Sequence, residues 1–216
     1  RHNYAWHALP HKRPGDPGAA EACNAESDAL LYLSERRTLT ALSWTDLARQ
    51  VRTLATRMRA LGITPGDRIV AYLPNTPEGI VAMLATASIG AVWSSCGPDF
   101  GTRGVLDRYS QRAPKLMSCV DGYSYGGKPF DRRADIGEIM GQLPTLAHVV
   151  HLPYLDPADR TPITPGALLW DEVMAGPDPG REAFQFGQVP FAHPLWILFS
   201  SGATGLPKPV IHWHRG

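Results

Sequence analysis

Residues 68–93, RIVAYLPNTPEGIVAMLATASIGAVW, decide the fold class of this 216-residue chain. The apolar run at residues 68–73 predicts a short strand. Pro77 suits the first position of a helix, and the apolar stretch at residues 78–90 predicts a helix that is packed on two sides. Residues 91–93 predict the next strand. A strand, a helix and a strand with short connections are typical of a parallel sheet covered by helices.

The flanking sequence continues this alternation. Upstream, Ser43 can cap a helix that Gly62 ends, and its apolar residues recur at steps of three and four: Leu47, Val51, Leu54, Met58 and Leu61. Downstream, we predict helices at residues 103–112, 136–143 and 168–174, and strands at residues 116–120, 148–152, 195–199 and 209–212. We expect the strand at 195–199 (LWILF) to be buried and Asp121-Gly122 to form a turn.

The sequence therefore predicts an α/β fold with mostly parallel sheets flanked by helices. Residues 1–37 contain several prolines and glycines that break any periodicity, so we expect an irregular segment there, with a short strand at residues 28–33. The predicted domain covers residues 38–216. Because the chain begins with Arg1 and not with Met, we expect it to be a fragment of a longer protein.

Composition excludes several classes of function. The chain has 21 Lys and Arg against 20 Asp and Glu, a formal net charge of +1, which argues against a dedicated nucleic-acid-binding protein. The three cysteines, Cys23, Cys96 and Cys119, form no CxxC motif, and this usage suits a reducing cytoplasm better than a disulfide scaffold. No apolar run is long enough to predict a membrane span.

The stretch that carries chemistry directly follows the predicted strand at residues 195–199. It reads Ser200-Ser201-Gly202-Ala203-Thr204-Gly205-Leu206-Pro207-Lys208. Glycines let backbone N–H groups turn towards an anion, hydroxyls donate to phosphate oxygens, and lysine supplies a positive charge. The spacing is not that of a Walker A loop, and Pro207 and Pro209 predict an extended or hairpin course. From composition alone, the stretch is either a polyphosphate site or an ordinary surface turn.

Residues 199–208, FSSGATGLPK, resemble the phosphate loop of the adenylate-forming enzymes, which include acyl-CoA synthetases, peptide-synthetase adenylation domains and luciferases. Within that superfamily the chain most resembles the ligases that activate acetoacetate. The resemblance covers essentially the whole chain, and further stretches carry it: residues 3–5 (NYA), 93–101 (WSSCGPDFG), 105–109 (VLDRY), 121–128 (DGYSYGGK) and 193–198 (HPLWIL). It implies that the fold is part of the large N-terminal domain of these enzymes.

The resemblance also implies a two-step ligase that uses ATP, CoA and Mg²⁺. The acetoacetate carboxylate attacks the α-phosphate of ATP, which gives an acyl-adenylate and pyrophosphate. The CoA thiol then attacks the activated carbonyl and releases AMP. Preorganised donors around the departing pyrophosphate would lower the first barrier. The resemblance assigns Thr204 and Lys208 as catalytic groups and places the ATP phosphates against Ser200, Ser201, Gly202, Ala203, Thr204, Gly205 and Lys208.

A second candidate site is Tyr125-Gly126-Gly127-Lys128. In related acetyl-CoA synthetases a similar glycine turn next to a cation contacts the nucleotide end of CoA, so the resemblance implies that Gly126, Gly127 and Lys128 bind CoA. The alternative is that the glycines only turn the chain after a strand. His212 and His214 could ligate a metal together, but no third ligand is suitably spaced, and we predict no metal site.

Two alternative functions remain open at this stage. The chain could belong to another short-chain acyl-CoA synthetase, one that acts on acetate or propionate, because most of the acyl pocket would lie beyond Gly216. It could also be a non-catalytic nucleotide-binding fragment. The family's adenine-binding segment, hinge and C-terminal lysine do not occur in the sequence, so we expect no ligase turnover from these residues alone. The sequence indicates no oligomeric state.

Two residues depart from the family pattern. Gly97 stands where Ser is expected, and we expect it to shape a turn. Ala203 stands where Thr is usual and lacks the hydroxyl, and a hydrogen bond to a charged group is worth roughly 1.5–3 kcal/mol, or about ten- to 150-fold. We predict that Ala203→Thr in a full-length ligase accelerates adenylation, measured as ATP–pyrophosphate exchange. An unchanged rate would show that this hydroxyl is not needed.

Overall fold

The computed structural model describes residues 3–9, 27–200 and 205–214. The strands in the described residues are β1 (Asp28–Tyr32), β2 (Thr40–Ser43), β3 (Arg68–Tyr72), β4 (Val92–Cys96), β5 (Leu116–Val120), β6 (Gly122–Tyr125), β7 (Lys128–Asp131), β8 (His148–Leu152), β9 (Leu168–Leu169), β10 (Pro194–Ser200) and β11 (Lys208–Trp213). The helices are α1 (Tyr4–Ala8), α2 (Trp44–Ala60), α3 (Pro77–Ser88), α4 (Thr102–Tyr109), α5 (Arg133–Gly141), α6 (Trp170–Met174) and α7 (Gly180–Ala183).

A seven-stranded sheet forms the centre of the molecule, in the order β11-β10-β4-β3-β5-β8-β9. All neighbours pair in parallel except β10 and β11, which pair antiparallel. The chain moves from β3 to β4 on one side and then passes back over β3 to β5 on the other. The loops that leave β3 and β5 therefore diverge, and in α/β sheets such a switch point is where ligands bind.

Helices cover both faces of this sheet. On one face α2 and α3 contribute Leu54, Met58 and Val81 to the larger apolar core. On the other face α4 and α5 bury Val105 and Ile136 in a second core. Helix α3 contacts α2, α1 and β4, which confirms that it is packed on two sides, as its apolar sequence predicts. None of the helices among the described residues is both long and apolar enough to cross a bilayer.

The helix cap, the helix end and the turn predicted from short stretches of sequence are confirmed. Ser43 caps α2 by accepting a hydrogen bond from the Asp46 amide at 3.1 Å. Gly62, just beyond α2, has a φ of +79°, which suits a glycine after a helix. The hydrogen bond from the Phe100 amide to the Gly97 carbonyl, 3.2 Å long, confirms the turn expected at Gly97.

Two expectations about the strands are wrong. Strand β10 is only half-buried, and of its residues only Ile197 is fully buried, because β11 beside it is exposed along its length. Asp121-Gly122 does not form a turn, since Gly122 already begins β6. A Cβ at Gly122 would lie 2.3 Å from the Phe130 carbonyl oxygen, so the glycine permits β7 to approach closely.

The prolines and glycines of residues 1–37, at positions 10–18, lie outside the described residues. The described part of this segment contains regular elements. Besides the expected strand β1, it contains the short helix α1, which Asn3 caps. The buried Asn3 amide nitrogen donates to the carbonyls of Ala87, Ser88 and Gly187 at 2.9, 3.1 and 2.8 Å. One side chain therefore connects α1, the end of α3 and the segment before β10.

We predict that Asn3→Asp lowers the free energy of unfolding by about 1–3 kcal/mol. Aspartate keeps an oxygen that can cap α1 but removes the donor on which the three buried carbonyls depend. Urea denaturation would measure the change, and Asn75→Asp, at an exposed position, is the matched control, for which we expect less than about 0.5 kcal/mol. Equal effects at the two positions would contradict the role assigned to Asn3.

His151 on β8 is a buried titratable group without a hydrogen bond. It is 1% exposed, and neither ring nitrogen has a partner among the described residues. Burial lowers the pKa of His151, and the repulsion from Arg133 adds to this, while Asp121 and Asp159 partly offset it. The folded state therefore favours the neutral ring.

Because the pKa of His151 is lower in the folded state, its contribution to stability is complete above the unfolded pKa of about 6.5 and is lost as the pH falls below it. We predict that the wild-type chain loses more stability between pH 7.5 and pH 5.5 than His151→Leu does. Urea denaturation of both proteins at the two pH values measures this. Parallel losses would show that His151 is not the responsible group.

Candidate functional site

The two candidate sites lie at the same edge of the central sheet. β10 ends at Ser200, directly before the predicted phosphate loop, and β5 ends at Val120, directly before the hairpin of β6 and β7. Strands β4 and β3 separate β10 from β5, so the strand ends are about 14 Å apart at about 4.8 Å per strand. Because the four strands are parallel, their carboxyl ends meet at one edge.

The phosphate loop connects the two strands of a hairpin. β10 and β11 pair antiparallel, and their last pair is Ser200 with Lys208. The Ser200 hydroxyl donates to the Lys208 carbonyl at 3.4 Å. The hairpin course expected from Pro207 and Pro209 is confirmed.

Several residues assigned to the ATP phosphates lie outside the described residues, namely Ser201, Gly202, Ala203 and Thr204. Of the others, Gly205 has a φ of +113°, a conformation that favours glycine. The Lys208 side chain is exposed at the start of β11. Ser200 and Lys208 are thus brought together at the base of the loop, and the phosphate-binding roles stay predictions.

Side chains from the neighbouring elements fix the base of the loop. The Ser94 hydroxyl on β4 donates to the Ile197 carbonyl on β10 at 2.8 Å, within the interior. The guanidinium groups of Arg108 and Arg112 lie 5.8 and 5.9 Å from the centre of the Phe199 ring. The sequence analysis missed both arginines as site residues. Their positive charges lie beside the residue that immediately precedes the loop.

The turn after β4 is held by buried polar groups. The Tyr72 hydroxyl donates to the carbonyls of Pro98 and Phe100 at 3.0 and 2.6 Å, and the Arg132 guanidinium also donates to Pro98, at 2.8 Å. Burial raises the pKa of Tyr72 far above its usual range, so the phenol remains a donor at neutral pH. This network connects β3, the 97–101 turn and the start of α5.

Two adjoining cavities form a groove that runs from the second candidate site towards β10. A cavity of about 350 Å³ lies between β1, the start of α3 and Trp196 on β10. A second, of about 630 Å³, reaches Tyr125 at the end of β6. The two share the lining residues Leu73, Pro74, Asn75 and Ser95. The groove was not predicted, although the residues shared by the two cavities lie at or just after the ends of predicted strands.

The second candidate site is a tight hairpin turn. Tyr125 pairs with Lys128, and Gly126 and Gly127 between them have φ values of +59° and +73°, as a two-residue hairpin loop requires. The alternative that these glycines turn the chain is thus confirmed for the local structure. Lys128 is exposed at the start of β7.

The two glycine amides of this turn already bind an anion. The Gly126 N–H donates to one carboxylate oxygen of Glu35 and the Gly127 N–H to the other, both at 2.9 Å. The amides therefore form an anion-binding pair, as the CoA assignment requires, but a carboxylate of the same chain occupies it. No sequence signal identified Glu35, which lies 91 residues away from Gly126.

The remaining candidates behave as structural groups. Cys96 and Cys119 are free and buried, and burial raises the pKa of both thiols, which suits inert cysteines. The His214 ring accepts a hydrogen bond from the Tyr4 amide at 3.2 Å. In the part of the chain that the structure describes, no three His, Cys, Asp or Glu side chains cluster as metal ligands would.

Comparisons with known proteins agree with this geometry. The acetoacetyl-CoA synthetase of Rattus norvegicus is 40% identical over an alignment of 218 positions, which covers 98% of this chain and 30% of the relative. The acetoacetyl-coenzyme A synthetase of Rhizobium meliloti is 45% identical over 186 residues, 86% of this chain and 28% of the relative. The solved acetoacetyl-CoA synthetase from Streptomyces lividans matches with a TM-score of 0.86 and 47% identity, over 98% of this chain and 30% of that one.

The chain spans about 30% of the length of these relatives. The structural match confirms the predicted α/β fold with its mostly parallel sheet. A family model described as AMP-binding enzyme matches residues 19–216. Since this match covers nearly the whole sequence, the chain belongs to the AMP-binding enzyme family.

Proposed function

We propose that the chain is part of an acetoacetate–CoA ligase, which activates acetoacetate with ATP and transfers the acyl group to CoA. The observation that carries the proposal is the strand–loop–strand hairpin with the FSSGATGLPK sequence at the carboxyl edge of a parallel sheet. The named function of the relatives supports the choice of acyl substrate. We propose residues 38–216 as part of the large N-terminal domain, and a cytoplasmic location.

In the first step, a carboxylate oxygen of acetoacetate bonds to the α-phosphorus of ATP, and the bond to pyrophosphate breaks. Negative charge then grows on the departing β- and γ-phosphates. Lys208 lies exposed at the base of the loop, where an ammonium group and the loop hydroxyls can stabilise this charge. Mg²⁺ that accompanies ATP would neutralise further phosphate charge. Thr204 and Lys208 are the catalytic residues of this proposal.

In the second step, the CoA sulfur bonds to the acyl carbonyl carbon, the bond from that carbon to the phosphate oxygen of AMP breaks, and the thiol proton is released to solvent. Gly126, Gly127 and Lys128 bind the 3′-phosphate of CoA in this proposal. Two observations support it. The glycine amides are directed at a carboxylate, which shows that they can hold an anion, and the groove at the carboxyl edge extends from this hairpin towards β10.

We predict that Lys208→Ala in a full-length ligase containing this segment lowers the rate of ATP–pyrophosphate exchange by about 10²–10³-fold, as the loss of one stabilising donor does elsewhere. Lys208→Arg should retain part of the rate, because the positive charge remains.

The matched control is Lys115→Ala. Lys115 precedes β5 at the opposite, amino edge of the sheet and pairs with Asp67 at 2.9 Å. Its loss should leave the exchange rate within about twofold of wild type, since the ion pair is partly exposed and contributes little to stability. If Lys208→Ala exchanged pyrophosphate as fast as Lys115→Ala, the role of the loop in adenylation would be disproved.

A further inference from the structure

Glu35 contacts the β6–β7 turn through two hydrogen bonds, in an arrangement that one oxyanion can accept. Both carboxylate oxygens are used, one by the Gly126 amide and one by the Gly127 amide, each at 2.9 Å. Successive N–H groups that converge in a turn make a concave site for anions. A phosphate monoester offers the same pair of oxygens on one atom, with more negative charge.

The backbone that carries Glu35 is fixed from several sides. The Ser34 hydroxyl accepts hydrogen bonds from the amides of Arg36 and Arg37 at 3.2 and 3.1 Å and from the Tyr154 hydroxyl at 2.8 Å. Arg37 forms an ion pair with Glu78 at the start of α3 at 2.7 Å. These interactions hold the backbone of residues 34–37 in place, and this backbone presents the Glu35 carboxylate to the glycine amides.

The neighbouring phenols strengthen this arrangement. The Tyr32 and Tyr154 hydroxyls lie 2.7 Å apart, and burial raises the pKa of Tyr32 to about 12. The Arg37 guanidinium lies 5.8 and 5.0 Å from the centres of their rings. Because Tyr32 remains protonated at neutral pH, its hydrogen bond to Tyr154 does not change in the physiological range.

The contact itself, in contrast, is at the surface. Glu35, Gly126 and Gly127 are all exposed, and a charged contact in water contributes little free energy. A change of the Glu35 side-chain rotamer would free both amides without any movement of the backbone. Lys128, which directly follows Gly127, is exposed at the start of β7, whereas the Arg36 guanidinium donates to the Leu155 carbonyl.

We propose that Glu35 is a built-in competitor for the phosphate-bearing ligand of this turn, so that it lowers the affinity of the site for phosphate monoesters. The inference rests on the proposed CoA site and specifies how that site is regulated. A ligand binds only to the fraction of molecules in which Glu35 has left the amides, and its apparent dissociation constant rises in the same proportion.

The test is a titration of the ¹⁵N-labelled 216-residue chain, with the Gly126 and Gly127 amide resonances as the readout. The probes are CoA, dephospho-CoA, which lacks the 3′-phosphate, and inorganic phosphate. We expect Glu35→Ala and Glu35→Gln to tighten CoA binding by about three- to tenfold and to leave dephospho-CoA binding unchanged. The two variants differ in size, so agreement between them excludes a distorted turn.

Glu138→Ala is the matched control, because Glu138 is an exposed acid on α5 that accepts a hydrogen bond from Gln142 at 3.4 Å. This variant should bind CoA as the wild type does. Provided that the wild type binds CoA, unchanged or weaker CoA binding in both Glu35 variants would overturn the inference. If Lys128→Ala nevertheless weakened CoA binding, the CoA site would still be supported, without the role proposed for Glu35. A third outcome separates the two hypotheses: phosphate shifts the two glycine resonances more strongly in Glu35→Ala, while CoA binds to no variant. This result would support competition by Glu35 and disprove the CoA assignment.

Discussion

The parallel pairing of β3 with β4 on one side and β5 on the other is the constraint on which the rest of the molecule depends. Four of the five β3 residues are buried, from Ile69 to Tyr72. A strand without a solvent-exposed face needs hydrogen-bonded strands on both edges and helices packed on both faces. Once these pairs form, the carboxyl ends of β3, β4 and β5 must meet at one edge.

Polar groups within the two cores then fix what stands at that edge. The Tyr109 hydroxyl on α4 donates to the Ala71 carbonyl of β3, and Tyr72 holds the turn after β4. Both phenols are buried, and leaving either hydroxyl without its backbone acceptor would cost about 1–3 kcal/mol. The turns around the groove are thus held by the interior rather than by surface contacts.

Sequence reasoning succeeded where the deciding interactions are local. The bounds of α2 follow from the Ser43 cap and from Gly62, and α3 begins at Pro77 as its fixed φ predicts. It failed for β10, because apolar composition marks a strand but does not tell what lies beside it. The burial of β10 depends on β4 and β11, which pair with it from both sides.

Contacts between distant parts of the chain were the least predictable. Asn3 bonds to Gly187 across 184 residues, and Glu35 to Gly126 across 91; no periodicity or spacing encodes either. The family resemblance identified the phosphate loop and the glycine turn, since their motifs are contiguous. It did not identify Glu35, Arg108 or Arg112, because only the fold places these charges beside the two motifs.

The charges at the carboxyl edge distinguish the two anion sites. At the phosphate loop, Lys208 is exposed, and Arg108 and Arg112 lie beside Phe199, so several cations stand near one strand end. At the glycine turn the donors are neutral amides, and an acidic side chain of the chain itself neutralises their field. A polyphosphate, with its higher charge, is therefore favoured at the loop over the turn. In the proposed ligase reaction the nucleotide binds and reacts before the thiol, and this asymmetry supports that order.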